Sequence, residues 1–209
     1  YGHHGGNVKA SPHGRYPYGG KDPVTYPQSL DFYREVAQYW INEYEIDGWR
    51  LDQCYQMNQN YNYMKEIREA VESCCLARKK AGKQWGTLGY IVGEDWHGQD
   101  QIQQQTYSGA GLRSAFDFPS RYCLVQTLAS EESGAGGYSI ETMQYIFKSP
   151  QDKGYRHDLG YLYPNLFITN HDVFRFGNLI RNKYWYSQEN GDYWKRYKLA
   201  ISCLASYTG

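Results

Sequence analysis

Four short runs rich in apolar residues, Ile46 to Asp52, Leu88 to Glu94, Leu112 to Phe118 and Leu166 to Asp172, are separated by segments of helical period. Three of the four end in an acid. Alternation of this kind implies parallel βαβ units. Polar residues gathered at the C-terminal ends of short apolar strands point to an α/β (β/α)8 TIM barrel, in which chemistry sits on that rim. A doubly wound open sheet would carry a glycine-rich phosphate loop after an early strand, and the sequence has none.

The helices are read from spacing. From Pro27, the residues Leu30, Tyr33, Ala37, Trp40, Ile41 and Tyr44 recur at three- and four-residue steps and predict one apolar stripe. A second helix is predicted from about Tyr61 to Ala81 through Met64, Ile67, Val71, Cys74 and Arg78, with Gly82 as its stop. Helical stretches are also expected near 120–130 and 139–148, with a closing helix over Trp194 to Tyr207. Residues 1–27, rich in Gly, His, Pro and Tyr, show no period and read as a loop segment. His3, His4 and His13 lie there without the carboxylate or cysteine neighbours of a metal site.

Composition narrows the function. Twenty-two basic residues balance 22 acidic ones. That balance argues against a nucleic-acid partner, whose affinity rests on phosphate neutralisation. No run of 18 apolar residues occurs, so no membrane span is expected. The five cysteines have no zinc-site spacing and leave the compartment open, with an extracellular or periplasmic address slightly favoured. Twenty-three Tyr and 6 Trp suit either ordinary packing or sugar binding, because flat rings cover apolar sugar faces while their polar tips stay wet.

The strand ends carry the chemistry. In Asp47-Gly48-Trp49-Arg50-Leu51-Asp52 a two-residue period turns Arg50 and Asp52 the same way. The guanidinium would keep the carboxylate ionised and oriented, as a nucleophile requires, although a structural Arg–Asp pair has the same pattern. Glu94 follows the apolar run Tyr90-Ile91-Val92, and a partly dry setting suits a general acid. In Thr169-Asn170-His171-Asp172, the acid either faces substrate beside His171 and Asn170 or caps the loop.

Taken together, Gly48-Trp49-Arg50-Leu51-Asp52, Gly93-Glu94 and Asn170-His171-Asp172 resemble the second, third and fourth signature regions of the α-amylase family, glycoside hydrolase family 13. They stand in that family's order, and Phe116-Asp117-Phe118-Pro119 resembles its strand six. The resemblance covers about residues 25 to 209. It implies a retaining hydrolase that cleaves α-glucosidic bonds in starch-like glucans or malto-oligosaccharides by double displacement. Asp52 would be the nucleophile, Glu94 the general acid and base, and Asp172 the residue gripping sugar hydroxyls. Arg50 would orient Asp52, and His171 would bind hydroxyls. Tyr55, Trp96, Phe174 and Arg175 are candidates for the cleft lining.

Many starch-acting members carry Lys and His three and four positions after the nucleophile. Here those positions are Tyr55 and Gln56. In calcium-binding members a backbone carbonyl near that His joins the ion site, a part that Gln56 would take if this chain binds Ca2+. Only 45 residues precede Ile46, too few for three βα units at roughly 30 residues each. The expectation is therefore an incomplete barrel segment, running from about strand four to helix seven over 28–209. Residues 1–27 would be the tail of the excursion after strand three, and the truncated barrel would be prone to self-association. Alternatives are a transglycosidase or isomerase of the same family, a scaffold without catalysis, or a carbohydrate-binding module.

Overall fold

The computed structural model describes residues 29–52, 54, 63–96, 112–130, 156–157, 160–161 and 164–207. Helix α1 (Ser29–Tyr44) leads into strand β1 (Gly48–Leu51), and helix α2 (Tyr63–Lys80) into strand β2 (Tyr90–Gly93). Strand β3 (Ser114–Ala115) is followed directly by helix α3 (Phe118–Leu128). Strands β4 (Arg156–His157) and β5 (Gly160–Tyr161) form a short antiparallel pair. Helices α4 (Phe176–Tyr184) and α5 (Gly191–Ser206) close the order.

Strands β1, β2 and β3 form one parallel sheet in sequential order, with Arg50 opposite Val92 and Val92 opposite Ser114. Alternating side chains divide its faces. Trp49, Leu51 and Ile91 pack outward against Ala37 and Ile41 of α1 and Met64, Ile67, Val71 and Cys75 of α2. Fully burying an aliphatic side chain such as Ile41, Val71 or Ile91 contributes about 1.5–3 kcal/mol. The opposite face carries Arg50.

Polar contacts hold α1 and α2 at that sheet. Gln38 donates to the Ala70 carbonyl and the Trp49 indole to the Ala37 carbonyl, both at 3.0 Å. Arg78 of α2 donates to Asn42 O and to Glu45 Oε1, closing the end of α1. Asp47 accepts from the Thr87 and Leu88 amides and so ties the start of β1 to the approach to β2. Gly48 is required by close approach, since a Cβ there would lie 1.8 Å from Tyr90 O.

A second core gathers Cys123, Leu124 and Leu128 of α3, Phe176 and Ile180 of α4, Ala200 and Cys203 of α5, and Ile168. Helix α3 begins where Asp117 accepts from the Ser120 amide and hydroxyl, with Pro119 in the first turn. Tyr207, just past α5, donates at 2.8 Å to Asp117 Oδ2, the oxygen that also accepts from the Ser120 hydroxyl. All five cysteines are free and buried.

Several expectations need correction. The run Leu112 to Phe118 is a strand only at Ser114–Ala115, because the Asp117 cap turns Phe118 and Pro119 into helix. The run Leu166 to Asp172 is not a strand. Its neighbour Asn165 makes a single parallel bridge with Phe116, and the ladder stops there. Trp40 and Tyr44 are exposed rather than part of the buried stripe, and they stack on each other at 4.8 Å. Tyr90 is likewise exposed. Helix α4 was not anticipated. The stretches 1–27 and 139–148 lie outside the described residues.

Candidate active site

The parallel register sets the site. Beyond the last pair, Leu51 opposite Gly93, the two chains deliver Asp52 and Glu94 side by side. The Glu94 amide donates to Leu51 O at 2.8 Å, and its carbonyl accepts from the Cys54 amide at 3.1 Å. Gly93 makes room for this turn, since a Cβ there would meet Leu112 and the Cys54 sulfur at about 2.5 Å.

Arg50 gathers the acids. Its Nη1 lies 2.5 Å from Asp52 Oδ1, and its Nη2 lies 3.0 Å from Glu94 Oε1 and 3.7 Å from Asp172 Oδ2. The guanidinium also sits over the Phe116 ring, 5.8 Å from its centre. The three acids differ in wetness. The Asp52 side chain is 70% exposed, that of Glu94 only 6%, and that of Asp172 lies between them. The hydrogen bond from Arg50 is the largest influence on the Asp52 carboxyl and holds it below the usual carboxylate range; burial opposes it as the second influence, and a hydrogen bond with Glu94 and the charges of Arg50 and His171 add smaller lowerings.

The third acid arrives on a turn rather than a strand. Asn170 Oδ1 accepts from the Asp172 amide at 2.9 Å and from the Val173 amide at 3.1 Å, a side-chain turn that replaces strand geometry. Asp172 therefore does not come from a strand end, and the loop cap is made by Asn170, not Asp172. His171 Nε2 lies 3.0 Å from Asp172 Oδ2 and is largely exposed. Arg175 donates to Asn170 O at 2.5 Å, so its guanidinium braces this turn.

The other expected lining residues are placed unevenly. Trp96 stacks on Phe118, 5.0 Å between ring centres, and its indole donates to Tyr122 at 2.6 Å, leaving one edge exposed. Phe174 is exposed beside the Asn170 turn. Tyr55 and Gln56 lie outside the described residues. Among the described residues, no group of three or more His, Cys, Asp or Glu side chains is placed to hold a metal ion.

The sequence pattern of the α-amylase catalytic domain matches residues 28–206. The chain belongs to the α-amylase family. Two solved structures of AmyP, one in complex with maltose and one a Glu-to-Gln variant in complex with maltotriose, align with TM-scores of 0.71 and 0.72. Their identities to this chain are 38% and 39%, and the alignments cover 95% and 100% of it but 40% and 42% of AmyP. A cyclomaltodextrinase of Thermoanaerobacter pseudethanolicus is 27% identical over 122 residues, which is 58% of this chain and 18% of that protein. An intracellular maltogenic amylase of Bacillus subtilis is 27% identical over 109 residues, 52% of this chain and 16% of that protein. The chain thus spans under a fifth of these curated relatives and about two fifths of AmyP. The α-amylase family is glycoside hydrolase family 13.

Proposed function

We propose that this amylase-family chain carries the reacting groups of a retaining hydrolase acting on α-glucosidic bonds of malto-oligosaccharides or related glucans, on a segment of a (β/α)8 barrel. The observation that carries the proposal is the single Arg50 guanidinium in contact with Asp52, Glu94 and Asp172. Three acids drawn to one point can enclose one sugar ring. The sequential parallel strands, covered by α1 and α2 on one face, support the barrel reading.

The roles follow from environment. Asp52 is exposed and held ionised by Arg50, which suits attack on an anomeric carbon. Glu94 is buried beside Asp52 at the neighbouring strand end, a water-poor position that suits a general acid. In the first step the Asp52 oxygen bonds to the anomeric carbon while the glycosidic oxygen departs with the Glu94 proton. In the second, water attacks the same carbon, gives its proton to Glu94, and Asp52 leaves. Asp172, with His171 beside it, would hold ring hydroxyls through the oxocarbenium-like transition state.

The substrate class follows the names of the relatives and the sugars bound to AmyP. A mechanism-based fluorosugar trap, followed by peptide mass mapping, tests the proposal. A covalent label on the peptide containing Asp52 is the expected result, and a label elsewhere, or none in an active enzyme, refutes it. Product analysis with excess sugar acceptor then separates hydrolysis from transfer.

A further inference from the structure

Beside the two strand-end acids lies a cysteine whose position is defined by one carbonyl. Cys54 is fully buried, and its Sγ lies 3.2 Å from the Glu94 carbonyl oxygen, the same oxygen that accepts from the Cys54 amide at 3.1 Å. The Glu94 amide in turn donates to Leu51 O at 2.8 Å. Leu51 and Cys54 flank Asp52 in the chain. The Glu94 backbone is therefore held by three hydrogen bonds, one at its amide and two at its carbonyl, to residues on either side of Asp52.

We infer that Cys54 is a positioning residue that sets the separation of Asp52 and Glu94 through its thiol bond to the Glu94 carbonyl. A retaining double displacement tolerates only a narrow carboxyl separation, about 5–5.5 Å, and a small displacement of a reacting group costs rate heavily. A backbone clamp at the base of both side chains is an effective place to fix that spacing. The inference rests on the roles proposed for Asp52 and Glu94.

Three features support the thiol as the donor. Burial, reinforced by the nearby Asp95 charge, pushes the Cys54 thiol far up, so it keeps its proton at any working pH. The sulfur also fills the space that Gly93 leaves open, since a Cβ at Gly93 would lie 2.5 Å from it. A side chain at Gly93 would displace this sulfur. Cys54 is moreover part of the core with Ile91 and Leu112, which fixes its rotamer by packing.

The test compares Cys54→Ala and Cys54→Ser in the full-length enzyme. The Ala variant removes the donor, while Ser keeps one at the cost of a more polar core atom. The expected result is a kcat/KM about threefold to tenfold lower for Cys54→Ala on a malto-oligosaccharide, in the range of one lost hydrogen bond. The defect should be smaller on an α-glucosyl fluoride, whose leaving group needs little proton donation, and Ser should recover most of the rate. A purely apolar packing role predicts the opposite order, with Ser worse than Ala. That order, or a folded Ala variant with unchanged kcat/KM on both substrates, overturns the inference. Should Ala fail to fold, the Thr and Val variants, equal in size and differing in the hydroxyl, carry the same comparison. Glu94→Gln serves as the separate control. If it stays active the functional proposal fails, whereas an inactive Glu94→Gln with an indifferent Cys54→Ala overturns the clamp alone.

Discussion

Arg50 Nη2 lies 3.0 Å from Glu94 Oε1, just past the end of the neighbouring strand, and the other arm of the same guanidinium reaches Asp52, just past the end of its own strand. The pairing crosses the sheet two residues out of step with the register, in which Arg50 faces Val92. Glu94 is almost wholly buried while Asp52 is largely exposed, so one arm of the guanidinium is far drier than the other.

Asp52→Asn should lower kcat of the parent enzyme by more than about a thousandfold, and Glu94→Gln by roughly a hundredfold to ten-thousandfold, with melting behaviour unchanged. Steady-state kinetics on a malto-oligosaccharide, paired with circular dichroism, measures both. Either variant turning over at the parental rate refutes its assigned role.

Arg50→Lys should shift the pH profile. The Arg50 hydrogen bond is the largest cause of the low Asp52 pKa, and a nucleophile must be ionised to attack. Activity therefore falls as pH drops through that pKa. A lysine offers a single ammonium in place of the fork and cannot serve both carboxylates equally. The acidic limb of kcat/KM should move to higher pH. A limb that stays in place shows that Arg50 does not hold Asp52 ionised.

Asn170→Ala should lower kcat/KM about tenfold to a hundredfold by releasing Asp172 from its turn. The Asp variant at the same position, which keeps an acceptor for both amides, should retain more activity than Ala. Equal activity in the two variants would show that the turn does not position Asp172.

Gly48→Ala should destabilise the fold by at least about 1–3 kcal/mol, because the new methyl would overlap Tyr90 O. Urea denaturation reports it directly, and an unchanged midpoint would mean that the β1–β2 spacing is looser than described.

Much of this arrangement was legible in the sequence. Strands β1 and β2 were readable because Trp49, Leu51 and Ile91 alternate with residues that face the acids, and the acids were readable because they end those runs. The run from Leu166 misled for a physical reason. Leu166 and Ile168 pack into the second core while Phe167 turns to Phe116 and Phe118, so the side chains alternate as a strand would, yet backbone pairing ends at Asn165. Helix α4 is only nine residues long, and its basic residues Arg181 and Lys183 hide the spacing of Phe176, Leu179 and Ile180 that would have revealed it. The contact of Arg50 with Asp172 joins residues far apart in the chain, which no local pattern encodes. The place of Cys54 is invisible in sequence because its partner is a main-chain carbonyl, which leaves no mark on residue choice.

The unequal exposure of the partners of Arg50 has a consequence for ionic strength. Mobile ions reach the Asp52 contact freely and the sealed Glu94 contact hardly at all, so added salt screens one arm of the guanidinium and spares the other. In concentrated brine the arginine stays anchored to Glu94 while its hold on Asp52 weakens, making Asp52 the salt-sensitive half of the pair.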